Sequence, residues 1–236
     1  MTKLYLIPAP LGDEFPFILP EYAVEIVRHL EVFICEKAKT ARTFLKTLAL
    51  AKPLQELTWH ELDKHKSSLD NGNDFLREAF AKGVSIGLIS EAGCPGVADP
   101  GAAVVAEAHR LGIQVVPLVG PSALLLALMA SGMNGQQFAF HGYLPASPQG
   151  RKEAFKRLVQ DSQRHNQTQI FIETPYRNNQ LLADAVANLP NDVRLAVACD
   201  ITLPTEFIMS QSVAAWRKRA ALPDLDKRPT VFLIGV

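Results

Sequence analysis

Leu88-Ile89-Ser90-Glu91-Ala92-Gly93-Cys94-Pro95-Gly96-Val97-Ala98-Asp99-Pro100-Gly101 changes physical character at Ser90. Ser85 to Ile89 reads as a buried strand. Two prolines and three glycines among small residues follow, and helical apolar spacing resumes at Val104, Val105 and Ala108 within Ala102 to Leu111. Strand, wide turn and helix make the repeating unit of an α/β fold. Open parallel sheets take ligands beyond the carboxyl ends of their strands, and glycine there lets backbone groups approach a ligand with no Cβ in the way. A rigid connection without a ligand has the same composition, since Gly and Pro mark any turn. The rest of the chain decides between the two.

Two further strands end in the same way. Lys3 to Pro8 leads into Pro8-Ala9-Pro10-Leu11-Gly12-Asp13, and the apolar run Ile113 to Val119 leads into Gly120-Pro121-Ser122-Ala123, where Ser122 can cap a helix and small residues leave its first amides open. Between them the pattern predicts a helix from Pro20, a strand Val32 to Cys35, a basic helix Thr40 to Leu48, a strand Leu54 to Trp59 and a helix Asp74 to Lys82. The helix Leu124 to Ala130 follows. The second half repeats the alternation: strand Phe138 to His141, helix Arg151 to Gln160, strand Gln169 to Ile172, helix Arg177 to Leu189, strands Arg194 to Cys199 and Glu206 to Met209, helix Val213 to Arg219 and strand Thr230 to Ile234. The expected fold is two α/β domains with mainly parallel or mixed sheets, residues 1–133 and 134–236, and a ligand cleft between them.

Composition narrows the function. At 48% apolar and 20% charged residues over 236 positions the chain has enough core to fold and is not disordered. No apolar run is long enough for a membrane span, and Met1-Thr2-Lys3-Leu4-Tyr5-Leu6-Ile7 enters a strand pattern without a signal-peptide cleavage site, so a cytoplasmic location and no membrane partner are expected. Cys35, Cys94 and Cys199 have neither disulfide nor zinc spacing; Cys35 and Cys199 read as buried strand residues and Cys94 as a small turn residue. His60 and His65 lack HExxH spacing, so no metal is expected. Basic and acidic residues balance at 24 each, which excludes a global grip on nucleic acid and leaves a local positive face at Lys37, Lys39, Arg42 and Lys46.

Six blocks, in register over nearly the whole chain, resemble the tetrapyrrole methylase family of S-adenosylmethionine-dependent methyltransferases, and most of all its 16S rRNA cytidine 2′-O-methyltransferase branch. They are Pro8-Ala9-Pro10-Leu11-Gly12, the stretch Ser90 to Gly101, Gly120-Pro121-Ser122-Ala123-Leu124-Leu125 with Ala130-Ser131-Gly132, Phe140-His141-Gly142-Tyr143-Leu144-Pro145, Glu173-Thr174-Pro175-Tyr176-Arg177, and Pro229-Thr230-Val231-Phe232-Leu233-Ile234-Gly235. The resemblance implies a methyl donor, S-adenosylmethionine, folded between two α/β domains and held mostly by backbone. Carried over by position, its pocket would be lined by Pro10, Leu11, Ser90, Ala92, Gly93, Val97, Ala98, Ser122, Ala123, Glu173, Ile201 and Thr230. The resemblance also implies ribosomal RNA or the small ribosomal subunit as partner and a homodimer. This chain departs from the branch after Glu36, where Lys37-Ala38-Lys39 stands in place of Asp-Thr-Arg, and it stops at Val236 where the branch tends to continue into a small further domain.

Methyl transfer is an in-line displacement that relies on positioning, with a general base for a hydroxyl acceptor. Asp13, Glu36, His60 and Glu91 are the polar residues best placed to orient or deprotonate the acceptor, each equally readable as a cap or surface group. Three functions remain open on sequence: an RNA 2′-O-methyltransferase, a methylase of a small tetrapyrrole-like molecule, and a donor-binding module without catalysis.

Overall fold

A computed structural model describes residues 2–12, 19–62 and 73–236; Asp13 and His65 lie outside the described residues. The chain forms two compact units, the first ending at Ser122 and the second beginning at Ala123.

The first unit alternates β1 (Lys3–Ile7), α1 (Glu21–Arg28), β2 (Val32–Cys35), α2 (Ala38–Lys46), β3 (Thr58–Glu61), α3 (Asn73–Ala81), β4 (Ile86–Ile89), α4 (Gly101–Arg110) and β5 (Gln114–Pro117). Its sheet has the order β3-β2-β4-β1-β5, and every pair is parallel. Successive side chains of a strand face opposite ways, so the central strands need apolar residues at both parities. Ile7, Phe33 and Ile89 pack with Val24, Val27, Ala41 and Leu45 of α1 and α2, while Leu4, Ile34, Ile86 and Leu88 pack with Leu76, Ala79, Val104 and Ala108 of α3 and α4. Gly87 is required on the α1/α2 side, where a Cβ would lie 2.6 Å from Ile7 Cδ1 and 2.9 Å from Phe33. Neighbouring strands β1 and β4 therefore send their next helices to opposite faces. This reversal opens a crevice at their carboxyl ends, the usual ligand position in such sheets.

Two elements differ from expectation. Helix α2 starts at Ala38 instead of Thr40 because Glu61, from β3, accepts a hydrogen bond from the Ala38 amide at 2.6 Å and satisfies the helix start from a distance. The run expected as a strand from Leu54 opens with a 3-10 turn, Leu54–Glu56, behind Pro53, and pairs only from Thr58.

The second unit contains α5 (Ala123–Ser131), β6 (Phe138–Tyr143), α6 (Pro148–His165), β7 (Thr168–Ile172), a 3-10 turn Pro175–Arg177, α7 (Asn178–Asn188), β8 (Arg194–Cys199), β9 (Phe207–Ser212), α8 (Val213–Arg217) and β10 (Thr230–Gly235). Its sheet, β6-β7-β10-β8-β9, is mixed: β6 and β7 are parallel and the other pairs antiparallel. One large core joins Phe155, Phe171, Trp216 and Phe232, with Phe171 stacked on Phe232 at 5.8 Å. Helix α6 begins three residues before Arg151, since Ser147 caps it by accepting from the Gly150 amide and Pro148 fills the first turn. The division lies before α5, not at Met133, because α5 packs on β8, β9 and β10. Ala123-Leu-Leu-Leu-Ala-Leu-Met-Ala-Ser131 is apolar on all sides, so its sequence shows no single inward face by which to assign it.

The mixed and parallel sheets match the expected class. Cys35 and Cys199 are buried in β2 and β8, and burial pushes the Cys35 thiol up to about 12, with Glu61 and Glu91 adding to the rise. No helix among the described residues is long and apolar enough to cross a membrane.

Candidate functional site

The crevice of the first unit is built by the loops that leave β1 and β4. β1 and β4 run parallel, yet Ala9 and Gly93 just beyond them pair antiparallel, with Ala9 N donating to Gly93 O at 2.9 Å and Gly93 N to Ala9 O at 3.0 Å. The β4 chain must therefore double back within three residues. Gly93 makes this possible with φ +68°, and the buried Ser90 hydroxyl locks the turn by donating to Gly93 O at 2.6 Å. The loop after β5 closes on the same end: the Cys94 thiol donates to Pro121 O at 3.3 Å, and Gly120 packs so tightly on the Pro8 ring that a Cβ would collide with it. Cys94 is held as a turn residue, and burial raises its thiol, so no thiolate nucleophile arises there.

Asp99 shapes the outer half of the β4–α4 loop. Its Oδ1 accepts from the amides of Gly96 at 2.7 Å and Gly101 at 2.8 Å, which ties the loop back to the start of α4. Burial pushes its carboxyl above the usual aspartate range; the two amides oppose the rise and nearby Glu36 adds to it. This residue was missing from the sequence candidates. Asp-Pro-Gly before a helical run is a turn and capping signature that points to it.

A cavity of about 560 Å³ lies inside these loops, on the α1/α2 side of the sheet. It brings together Pro10, Leu11, Ser90 and Ala92 of the expected donor contacts, with Glu91 beside them and Thr40 and Thr43 of α2 opposite. Lys37 Nζ anchors Glu91 Oε2 at 2.9 Å. Gly93 sits in the bridge behind the cavity. Val97 and Ala98 lie on the exposed outer loop, Ala98 with φ +60°, and Ser122 ends the unit; none of the three lines the cavity. Glu36 leaves β2 next to Asp99. His60 belongs to the opposite face, where its ring stacks on Phe75 of α3 at 4.8 Å.

In the second unit, Glu173, Ile201 and Thr230 gather at one end of the sheet, because antiparallel β10 begins where β7 and β8 finish: Val231 pairs with Ile172, and Thr230 with Cys199. Ala123 stands apart as the first residue of α5. Glu173 has a side chain only 1% exposed; its Oε1 accepts from Thr174 N at 2.7 Å and from Arg177 at 2.9 Å. Its Oε2 is buried without a partner among the described residues, as is Asn178 Oδ1. A ligand that carries N–H or O–H donors complements such acceptors. Arg228 holds the same end together, donating to Asp200 Oδ2 at 2.8 Å and to the Asp224 and Thr205 carbonyls.

Comparison with known proteins gives three findings. The model of the tetrapyrrole (corrin/porphyrin) methylases matches residues 3–215. Curated relatives named ribosomal RNA small subunit methyltransferase I include that of Xylella fastidiosa, 30% identical over 99% of this chain and 80% of the relative, and that of Mesorhizobium japonicum, 32% identical over 98% and 74%. Among solved structures, that of the methyltransferase CobJ superposes with a TM-score of 0.65 at 20% identity, covering 100% of this chain and 94% of that one, which shows a shared fold.

Proposed function

Because this chain belongs to the tetrapyrrole (corrin/porphyrin) methylase family and is a methyltransferase, we propose that it methylates a ribose 2′-hydroxyl of small-subunit ribosomal RNA with S-adenosylmethionine as donor. The observation that carries the substrate is the relatives' common name, attached to proteins that align with 99% and 98% of this chain. Methylases of this family use S-adenosylmethionine in general, and the residues present fit it. The first unit's cavity has small residues, Ala9, Gly12, Ser90 and Ala92, on its loops and apolar Leu19, Phe44 and Leu48 among its other walls, and a buried carboxylate oxygen in the second unit can accept from a ligand N–H or O–H.

Bound S-adenosylmethionine would supply a methyl group on a sulfonium, open to in-line attack by the acceptor oxygen. In the first unit, Pro10, Leu11, Ser90, Ala92, Gly93, Val97, Ala98 and Ser122 are the proposed donor contacts, and in the second, Ala123, Glu173, Ile201 and Thr230. The Ser90 and Ala9–Gly93 hydrogen bonds fix the first loops before any ligand arrives, so little order is lost on binding. Glu91, beside Ser90 and anchored by Lys37, is the proposed hydrogen-bond acceptor that aims the hydroxyl and takes its proton. Glu91→Ala should lower turnover roughly 100-fold, the lower end of general-base effects, and leave donor affinity in place.

The reading is tested by incubation with methyl-labelled donor and either small ribosomal subunits or a tetrapyrrole. Label in the RNA at a ribose supports it; label in the tetrapyrrole, or no binding of donor or demethylated product by calorimetry, overturns it. The same reading carries a cytoplasmic location and a homodimer with it. The large exposed side chains Leu125 and Met129, one turn apart on α5, support pairing with a second copy. A monomeric mass by light scattering at micromolar concentration would remove the dimer.

A further inference from the structure

Helix α2 carries Lys39, Arg42 and Lys46 at spacings of three and four residues, which places them in one exposed stripe beside the face of buried Ala38, Ala41 and Leu45. Of the four cations expected to form a positive face, Lys37 is taken out by its ion pair with Glu91. The other three make no ion pair within the described residues, whereas Lys52 nearby is paired with Glu31. Like charges so close repel by a few tenths of a kcal/mol per pair, so the stripe is not there for the stability of the helix.

The stripe borders a groove of about 580 Å³ whose other wall is the segment Leu54 to Trp59, and its lining contains no acid. Trp59 is engaged both by Phe33, stacked at 5.2 Å, and by the Arg42 guanidinium, 5.0 Å from its ring centre. The indole is therefore not free to receive a base. It holds the Arg42 guanidinium over its face by a cation–π contact, at the wall of the groove that both residues line. Lys39 and Thr43 line both this groove and the cavity at the β1 and β4 loops, so the two adjoin. From Lys39 to Lys46 the helix rises roughly 10 Å, a span over which three long side chains can reach neighbouring phosphates of one strand.

We propose that this groove is the track along which a single strand of the substrate RNA enters the site, with Lys39, Arg42 and Lys46 on successive phosphates and Trp59 positioning Arg42. The proposal rests on the RNA reading above. It is tested by fluorescence anisotropy of a labelled single-stranded fragment of 16S ribosomal RNA over a salt series, with the parent chain, the triple variant Lys39→Ala/Arg42→Ala/Lys46→Ala, Trp59→Leu, and Lys52→Ala as a control cation. The three substituted residues are exposed on one helix, and circular dichroism checks the fold. The slope of log K against log salt should fall by about 2 in the triple variant, three contacts at roughly 0.7 each. Trp59→Leu should weaken binding without that full change in slope, Lys52→Ala should behave as the parent, and donor affinity by calorimetry should hold in these two variants, neither of which touches the cavity lining. RNA binding by the parent with an unchanged slope in the triple variant overturns the groove alone. No RNA binding by a parent that still binds donor overturns the groove together with the RNA reading.

Discussion

The two sheets have five strands each and bury themselves by different means. In the first, every pairing is parallel, so each strand returns through a helix, both faces are covered, and the core is split into two clusters by the sheet. All its strands finish at one edge, where two loops are joined amide to carbonyl at Ala9 and Gly93 and the side chains of Ser90, Cys94 and Asp99 bond nearby backbone groups. In the second, three antiparallel pairings bring strand starts and strand ends to the same edge, and charged side chains hold it, Glu173 with Arg177 and Asp200 with Arg228. Its largest core is one cluster. The lesson is that the parallel edge fixes its turns mainly by bonds to backbone groups, from other backbone and from single side chains, whereas the mixed edge fixes its loops with ion pairs between side chains.

The largest test of this contrast is Trp216→Ala. The indole is buried in the second unit's core and its Nε1 donates to Leu195 O at 2.9 Å. Its loss should cost about 3–5 kcal/mol by chemical denaturation; a loss below about 1 kcal/mol would mean that this core is not one packed body. Gly87→Ala probes the first sheet, where the added Cβ meets Ile7 and Phe33. Overpacking should cost about 1–3 kcal/mol, and Phe33→Leu in the same chain should recover part of it. The split and single cores are then compared directly by double-mutant cycles. Phe171→Leu with Phe232→Leu should couple by about 0.5–1.5 kcal/mol. Leu45→Ala with Val104→Ala, on opposite faces of the first sheet, should add within about 0.5 kcal/mol. Strong coupling in the second pair would break the contrast.

The smallest expected effect is electrostatic. In the first unit a charge cluster ties α3 to α4: Arg110 and Arg77 hold the Glu107 carboxyl down to about 2. A folded value below the unfolded one, ~4.3 for glutamate, stabilises the fold above that value, and the contribution is lost as the pH falls through about 2. Glu107→Gln should therefore flatten the fall in urea midpoint between pH 5 and pH 2. A parallel fall in both proteins would show that the cluster contributes nothing.

Strands such as Val32–Cys35 and Arg194–Cys199 were legible to the residue, because short apolar runs between turn residues leave little choice of register. The loops after β1 and β4 were legible too, through glycines and prolines that only a turn needs. What was not legible depends on distant partners. Glu61 sets the start of α2 from 23 residues away, and Glu91 takes Lys37 from the positive face across 54. His60 could be placed on a strand, but which face it joins depends on the parity of a four-residue segment whose beginning was misread by the 3-10 turn before it. Helix α5 gave no sign of its sheet because every side of it is apolar.

The pairing of Ala9 with Gly93 also sets a clock. Both amides are engaged across two loops, so each can trade hydrogen for deuterium only when the loops part or the unit unfolds. They belong to no strand, yet their exchange should keep the slow time of β1 and β4, while the amide of Ala98 on the exposed outer turn should exchange early. One loop cannot then open for a ligand while the other stays shut. The pair opens as one lip, and its rate of opening is a number that solvent exchange can read without any ligand or substrate in hand.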